Sequence, residues 1–372
     1  MPIESCTIFL ACFSSIVHNS EMESFTTNLT ENATVSEEFS IIFKHEGDAT
    51  LNLILQIWYS AIAVVGIFGN TLTILAILIC KKHHTTQNVY ICSLAFSDLL
   101  VCTLSAPYSA WLLTNERELA RKSLTSIVCQ AIGVTVMISV GSTMYHLAAI
   151  AVNRYICILK PAHVYMALYT KGRVVLSIVL MWSMCVIMVL PGIFGFGSFG
   201  YNDLYGNCIF TNDKETSLML FTVMVAPCTV PCLSLIQFSY TKIILHFRNV
   251  SRKLRAAPKS IVSTVAKSTT QAENASSDGK QGMSKSNRQA KEASVVANLC
   301  VVTAVCMICW MPGNFLLLLD FTQMAPLWLH RSLIAFALSN SCVNVFIYAG
   351  MNRSFRRTYI QIILCQWRQI NL

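Results

Sequence analysis

Isolated polar residues inside long apolar stretches are the groups in this 372-residue chain that could do chemistry. Asp98 is the acidic residue in the middle of such a stretch, and Asn70, Asn340 and Asn344 are its expected amide partners. A charge placed in hydrocarbon is costly, so such a residue usually marks a functional site. The pattern predicts a buried site for an ion or a proton.

A second group of residues lies near the ends of apolar stretches. Arg154 stands in Asn153-Arg154-Tyr155, and Trp310 and Pro312 belong to Cys309-Trp310-Met311-Pro312. A proline inside a helix removes a backbone hydrogen bond and produces a kink. Taken singly these signals are weak, because an arginine at the end of a membrane helix mostly just extends into water.

The composition defines the elements that must position these residues. Apolar residues make up 54% of the chain and charged residues only 12%, about half the ~25% of an ordinary soluble domain. This excludes a soluble enzyme and a nucleic-acid-binding protein, although the net charge is +9. We therefore expect neither catalysis nor nucleic acid as a partner.

Seven apolar segments are each long enough to cross a bilayer, which needs ~20 residues. Because lipid cannot satisfy open backbone groups, each segment is expected to be a helix. The predicted fold is an all-α membrane protein, a seven-transmembrane helix bundle with a short amphipathic helix after the seventh span. The segments cover residues 51–80, 89–115, 123–153, 174–202, 216–241, 293–319 and 332–352.

The basic residues predict the orientation, because cytoplasmic loops are enriched in Lys and Arg. All but six of the 27 basic residues lie on the inner side if the N-terminus is outside, which predicts a multi-pass protein of the plasma membrane. Sequons at Asn28 and Asn32 predict glycosylation of the outer tail. The expected regions are an outer tail at 1–50, the bundle at 51–352 with a disordered third cytoplasmic loop at about 248–290, and an inner helix and tail at 353–372.

Most of the sixteen cysteines lie inside predicted spans, and Cys129 and Cys208 stand apart from them. Cys129 opens the third span and Cys208 lies in the loop after the fourth, in an oxidising compartment. A bridge between them would tie that loop to the third span. Two free thiols are the alternative.

Across the spans the chain resembles the rhodopsin-like, or class A, G-protein-coupled receptors. The likeness rests on Gly69-Asn70, on Leu94-Ala95-Phe96-Ser97-Asp98, and on Cys129 followed 25 residues later by Arg154. Trp182, Pro231, the Cys-Trp-Met-Pro motif and Tyr348 at the end of the seventh span continue it. Asn153 departs from the family's aspartate. Val345 replaces the proline of the seventh span, which predicts a weaker distortion there.

Within the family the chain is similar to the melatonin receptors and their orphan relatives. The stretches that carry the likeness are 149–155, 199–210 and 309–315. The ligand contacts transfer poorly, because Gly192 stands where those receptors place an asparagine. The expected pocket is apolar and fits a small neutral or lipophilic ligand or a short peptide; it comprises Val136, Phe210, Trp310, Asn314 and Phe315.

The resemblance also implies an allosteric sodium ion, the one cofactor expected. Its site would be formed by Asp98, Thr143, Asn340, Ser341 and Asn344. A protonated, hydrogen-bonded Asp98 is the alternative.

The resemblance implies an inner activation switch as well. Its expected members are Asn153, Arg154, Tyr155, Glu292, Trp310, Pro312 and Tyr348. Glu292 would pair with Arg154; the alternative is that it only caps a helix start and faces water.

The predicted function is a receptor that passes an extracellular ligand signal to a heterotrimeric G protein of the inhibitory class. Arrestin and membrane lipid are further expected partners. The alternative is a non-signalling seven-helix decoy or trafficking protein, and Val345 is the feature that favours it.

Overall fold

The computed structural model describes residues 34–114, 127–194, 197–211, 226–256, 300–316 and 325–366. Residues 1–51 and 52–372 form two separate compact units. In the first, the described residues from Thr34 onward are helical. All contacts discussed below lie within the second.

Within the described ranges, five helices are apolar and long enough to cross a membrane. Their apolar parts are Ala49–Ile79, Thr86–Leu112, Ile127–Leu159, Lys171–Ile193 and Cys228–Val250, which we number as the first to fifth spans. The first belongs to a helix that covers Thr34–Ile79, and the fifth to one that covers Ala226–Ala256. Cys300–Leu316 is the described part of the sixth span, and Leu327–Leu338 with Asn340–Met351 is the seventh. These helices occupy the positions of the seven predicted segments.

Shorter elements connect the spans. A 3-10 turn covers Lys81–His83, a short helix covers Ala162–Leu168, and a C-terminal helix covers Arg353–Ile363. On the outer side, strands β1 (Phe199–Asn202) and β2 (Asn207–Phe210) pair antiparallel, with Tyr201 opposite Cys208. The Asn352 side chain accepts hydrogen bonds from the Ser354 and Phe355 amides and so fixes the start of the C-terminal helix.

The third span is the central element of the bundle. It contacts the second, fourth and fifth spans and both strands. Small residues on its surface permit close approach, as is typical of membrane helices. At Gly133 a Cβ atom would lie 2.9 Å from the Ile209 carbonyl oxygen, and at Gly141 one would lie 3.2 Å from Cys185 Sγ.

The second span changes its winding in the outer half. Residues Val101–Ser105 form a π turn, and the α-helix that follows, Ala106–Leu112, has proline in its first turn. Proline has no backbone N–H to donate to the carbonyl four residues earlier, so a local wide turn accommodates it. Asp98 lies just before this turn.

The seventh span bends by 42° at Ser339, although it lacks the family's proline. The Ser339 hydroxyl donates to the Ala335 carbonyl at 3.0 Å and accepts the Trp58 indole N–H at 2.8 Å. A serine that bonds back to the preceding turn bends a helix, and here the first span holds it in place. This bend lies six residues before Val345, so the weaker distortion expected at Val345 itself stays a prediction. Val345 packs against Gly69, where a Cβ atom would lie 2.5 Å from its Cγ1.

The C-terminal helix is amphipathic and docks against the inner turn after the first span. Phe355, Tyr359 and Ile362 are buried, whereas Ile360 and Ile363 are exposed. The His83 ring stacks on Phe355 with centroids 4.3 Å apart, and its Nε2 lies 3.1 Å from the Thr358 hydroxyl. Tyr359 shares a 2.8 Å hydrogen bond with Thr73 of the first span.

This contact makes docking of the C-terminal helix dependent on pH. Burial lowers the pKa of His83 below its ordinary 6.5, and the neighbouring Lys82 and His84 add to the effect. The folded state then binds fewer protons than the released state at pH values below 6.5. The docking free energy contributed by neutral His83 is complete above that pH and is lost as the pH falls from 6.5 to the lowered pKa of the docked state.

We expect amide hydrogen exchange in Arg353–Ile363 to accelerate severalfold between about pH 7.5 and about pH 5.5, after correction for the intrinsic rate. His83→Phe keeps the ring and removes the titration, so it should abolish this acceleration. The control His84→Gln, at an exposed neighbour, should retain it. Equal acceleration in the parent and His83→Phe would show that another group titrates.

Candidate functional site

The outer face of the bundle is organised by the β1–β2 hairpin. A disulfide joins Cys129 at the start of the third span to Cys208 in β2, as predicted. Gly206 in the connecting turn has φ of 60°, and a Cβ atom there would lie 3.1 Å from Arg331 Nε, so two constraints select glycine. The hairpin is thus held against both the third and the seventh spans.

A buried polar chain fixes the hairpin to the first and second spans. The Ser109 hydroxyl donates to Asn207 Oδ1 at 2.8 Å, and Asn207 Nδ2 donates to the Tyr59 hydroxyl at 3.3 Å. On the seventh span, Arg331 donates to Asn52 Oδ1 at 3.0 Å. These bonds satisfy polar groups that would otherwise be unpaired away from water.

The structure brings only part of the predicted ligand pocket together. Val136 is buried, while Phe210, Trp310 and Asn314 are half-buried on the hairpin and the sixth span. Phe315 is 58% exposed, so its place in the pocket stays a prediction. Five residues after Trp310, it is rotated to a different side of the helix, because each residue turns the chain by about 100°.

Phe199 occupies space next to Gly192 at the outer end of the fourth span. A Cβ atom on Gly192 would lie 2.6 Å from the Phe199 ring. The ring packs with Val189 and with Met137 and Met188 beside it. The Phe199 ring thus fills the volume that any side chain at residue 192 would require, a contact for which no sequence motif is a signal.

The buried acid lies between the second and seventh spans. Asn344 Nδ2 donates to Asp98 Oδ2 at 2.9 Å. Asn70 was an expected partner, but its amide donates to the carbonyls of Gly66 and Ser341 at 3.0 and 2.8 Å. That prediction is therefore wrong, and Asn70 ties the first span to the seventh.

Several oxygens beside this acid lack donors. Asp98 Oδ1, Asn340 Oδ1 and Asn344 Oδ1 are buried and form no hydrogen bond within the described part of the chain. Thr143 on the third span and Ser341 are buried as well. A small hard cation takes oxygen ligands of these kinds, so the donor set fits the sodium ion that the resemblance implies.

At the inner end of the third span, the three residues of the Asn-Arg-Tyr motif face different neighbours. Asn153 is buried, and its Nδ2 lies 3.5 Å from the Tyr165 hydroxyl in the short helix Ala162–Leu168. Arg154 is half-buried and lies near Tyr240 of the fifth span. Tyr155 packs on Phe238 with ring centroids 5.4 Å apart. Asn153 thus holds the short helix Ala162–Leu168 that follows the third span.

The remaining members of the predicted switch are placed only in part. Tyr348 is buried against Phe355 of the C-terminal helix, whereas Pro312 is exposed on the sixth span. Glu292 lies outside the described residues, as do the predicted glycosylation sites Asn28 and Asn32. The pairing of Arg154 with Glu292 therefore stays a prediction.

His146 in the middle of the third span is a site residue that the sequence reasoning missed. Its Nδ1 lies 2.7 Å from the Ser142 carbonyl, which only accepts, so Nδ1 carries the proton. Nε2 then accepts from the Ser93 hydroxyl at 2.8 Å, and Ser93 accepts from the Trp182 indole N–H at 3.0 Å. An ionisable residue inside a predicted span was the signal that could have found it.

An outer disulfide, a buried acid at mid-membrane and an arginine at the inner end, placed along one bundle of membrane helices, define a seven-span receptor. The family model "7 transmembrane receptor (rhodopsin family)" matches residues 69–348. The chain belongs to this family, which confirms the predicted fold class and the expectation of a receptor without enzymatic activity.

Comparison with individual proteins supports the same assignment. The chain is 27% identical to melatonin receptor type 1B-B of Danio rerio, with 82% of this chain and 80% of the relative aligned. It is 28% identical to melatonin receptor type 1A of Ovis aries over 81% and 75%. The crystal structure of squid rhodopsin aligns with a TM-score of 0.67 at 21% identity over 87% and 88%, which shows the shared fold. The predicted likeness to melatonin receptors is confirmed.

The polar chain through His146 should stabilise the packing of the second, third and fourth spans. His146→Leu removes the acceptor of the Ser93 hydroxyl and should cost about 1–3 kcal/mol, the penalty for a buried unpaired polar group. We expect a lower unfolding temperature for the purified receptor in detergent. His246→Leu, at an exposed position of the fifth-span helix, is the control and should change little. An unaltered unfolding temperature in His146→Leu would contradict the role of this chain.

Proposed function

We propose that this receptor binds a small neutral, lipophilic extracellular ligand and couples to a heterotrimeric G protein of the inhibitory class. Family membership makes it a G-protein-coupled receptor. The observation that carries the mechanism is the buried Asp98 carboxyl group, which joins the second and seventh spans through one 2.9 Å hydrogen bond and keeps an oxygen without a donor. Such a junction can be repacked at low cost.

The proposed ligand class follows from the outer end of the bundle. Val136 is buried where a receptor for amines would have its acidic counter-ion, so a cationic ligand finds no partner at this position. Phe199 and Phe210 add aromatic surface from the hairpin. Pockets of this kind take apolar molecules with few polar groups. A short peptide is the second candidate that the apolar lining permits.

The proposed mechanism is a shift between two packings of the bundle. A ligand at the outer end changes contacts around Trp310, whose indole N–H is buried without a partner among the described residues. The sixth span then moves relative to the third, and Arg154 becomes available to the G protein. Arrestin would use the same inner face, and the C-terminal helix would rest on membrane lipid.

The proposed location is the plasma membrane with the N-terminus outside. The Cys129–Cys208 bond supports this orientation, because disulfides persist in oxidising compartments. The non-signalling alternative rested on Val345, which replaces the proline of the seventh span. Because the seventh span bends by 42° without this proline, its absence does not distinguish the chain from a signalling receptor.

Asp98 is proposed to bind sodium in the inactive packing, with Thr143, Ser341 and the two asparagines as further oxygen donors. A bound cation would supply the positive charge that the buried carboxylate needs. The residues of this chain orient the site: Asn344 holds one carboxyl oxygen, and Asn70 fixes the Ser341 backbone. A bound sodium ion should therefore stabilise the inactive packing and lower the population of the agonist-bound packing.

Agonist-free signalling should fall as external sodium replaces choline at constant ionic strength, measured as G-protein nucleotide exchange in membranes. Asp98→Asn keeps the hydrogen-bonding shape and removes the charge, so it should abolish the sodium dependence. Ser97→Ala, at a buried neighbour outside the proposed donor set, should retain it. Absence of a sodium effect in the parent receptor would rule out the site.

The proposed restraint on Arg154 can be tested through Glu292, because Asn153 brings no charge. A partly buried Arg–carboxylate pair is worth on the order of 1 kcal/mol, so Glu292→Ala should raise ligand-free inhibition of adenylyl cyclase about fivefold. Arg154→Ala should lower it. Both variants are compared at matched surface expression, with Glu292→Gln testing the charge alone. If Glu292→Ala shows the same ligand-free inhibition of adenylyl cyclase as the parent receptor, this switch is contradicted. If neither the parent receptor nor any variant inhibits adenylyl cyclase, coupling to an inhibitory G protein is itself contradicted.

A further inference from the structure

The C-terminal helix turns one continuous face away from the bundle. Its other side carries the buried Phe355, Tyr359 and Ile362. On the outward side, six residues recur at spacings of three and four, which places them on one face of a helix. All six are exposed: Arg353, Arg356, Arg357, Ile360, Ile363 and Leu364. This face is cationic over its first half and aliphatic over its second.

The three arginines have no acidic partner on their own helix, because no Asp or Glu follows Asp320 in the sequence. Arg356 donates to the Gly350 carbonyl at 3.3 Å, which uses one of its five N–H groups. Arg353 and Arg357 lie one turn apart, about 6 Å along the helix axis. The first half of this face therefore presents closely spaced guanidinium groups to an external anion.

The inner turn against which the helix docks adds further positive charge. Lys81 and Lys82 are exposed there, beside the docked His83 ring. Burial lowers the pKa of His83, and the charges of Lys82 and His84 lower it further. The sequence contains no acid from Lys81 to Ser97 either. Neither of the two elements at this corner of the receptor thus compensates its positive potential.

The aliphatic half of the face fits the acyl region of a bilayer. Ile360, Ile363 and Leu364 are 50%, 54% and 59% exposed, although each is apolar. An amphipathic helix at a membrane surface buries such residues among acyl chains, while its cationic residues stay at the level of the headgroups. Arg353 follows Met351, the last residue of the seventh span, by two positions, so the arginines begin at the membrane surface. One molecule with an anionic head and an acyl chain fits both halves.

We propose that this face binds a phosphatidylinositol bisphosphate of the inner leaflet, with its phosphates on Arg353, Arg357 and Lys82 and one acyl chain along the aliphatic half. A guanidinium group binds a phosphate through two parallel hydrogen bonds, and basic clusters next to a membrane helix attract such lipids. A ring that carries several phosphates matches closely spaced arginines better than a headgroup with a single phosphate. The site rests on the proposed orientation, which places this helix in the cytosol, and it uses neither the ligand pocket nor the Asp98 junction.

The test uses the full-length receptor in phosphatidylcholine nanodiscs that contain phosphatidylinositol 4,5-bisphosphate or, at equal total charge, phosphatidylserine. Native mass spectrometry counts the lipids that stay bound when the receptor is released. We expect the bisphosphate lipid to be retained severalfold more than phosphatidylserine. Equal retention of both lipids would overturn the proposal, and so would retention of neither, which would leave the arginines to an acidic protein partner.

Failure of the lipid site and failure of the proposed orientation give different results. Both faces of a nanodisc are open to solvent, so lipid retention does not depend on which face meets the cytosol in a cell. Protease protection of a C-terminal tag in intact cells tests the orientation separately.

Two pairs of substitutions test the cationic half. Arg353→Gln with Arg357→Gln removes two guanidinium groups and leaves the third in its bond to the backbone, so retention of the bisphosphate lipid should fall severalfold. Lys171→Gln with Lys242→Gln removes the same charge from exposed positions of the fourth- and fifth-span helices and should leave retention unchanged. An equal fall in both pairs would show attraction by net charge alone and contradict the site.

Two further pairs separate charge, geometry and acyl contact. Arg353→Lys with Arg357→Lys keeps the charge but loses the paired hydrogen bonds, so retention should lie between that of the parent and that of the glutamine pair. Ile360→Ser with Ile363→Ser changes only exposed side chains and should lower retention severalfold through the lost acyl contact. Retention equal to that of the parent would contradict paired hydrogen bonding in the lysine pair and the acyl contact in the serine pair.

Discussion

The structure depends on one constraint: polar groups inside a bilayer must find partners within the bundle, because hydrocarbon offers none. The third span meets this constraint for its neighbours. His146 accepts from Ser93, and Ser93 accepts from Trp182, so one imidazole joins three spans. Asn70 does the same between the first and seventh spans through the Ser341 carbonyl. Apolar side chains fill the space between these hydrogen-bonded residues. The hydrogen bonds are directional, so they select the register of one span against another, which apolar packing does not.

Much of the fold could be predicted from the sequence, because the membrane imposes a strong and simple pattern. Runs of about 20 apolar residues specify spans, and the outer cysteines specify one disulfide that the structure contains. The amphipathic pattern after Asn352 likewise predicted the C-terminal helix. These features depend on local sequence and on the thickness of the bilayer, so one chain without relatives is enough to find them.

The details of the site could not be predicted in the same way, because they depend on which helix face meets which neighbour. Phe315 was assigned to the pocket by its likeness to relatives, yet its rotation away from Trp310 leaves it exposed. The missing proline of the seventh span led to the expectation of a weaker distortion, yet the span bends by 42° at Ser339, whose hydroxyl bonds to Trp58, 281 residues earlier in the chain. Contacts over such separations leave no signal in local sequence. His146 differs, because an ionisable residue inside a predicted span is a signal that the sequence does contain.

Buried polar groups with and without hydrogen-bond partners indicate where the helices of the bundle can move relative to one another. The His146 chain has a donor for each acceptor that it presents, so moving the third span against the second and fourth would break several bonds at once. Between the second and seventh spans, Asp98 keeps one oxygen without a donor, and both neighbouring asparagines do as well. Each such group costs free energy in the observed packing, so a rearrangement that supplies a cation, a proton or a new donor recovers it. The second, third and fourth spans therefore form the fixed part of the receptor, and the junction at Asp98 is the part whose energy a ligand can alter.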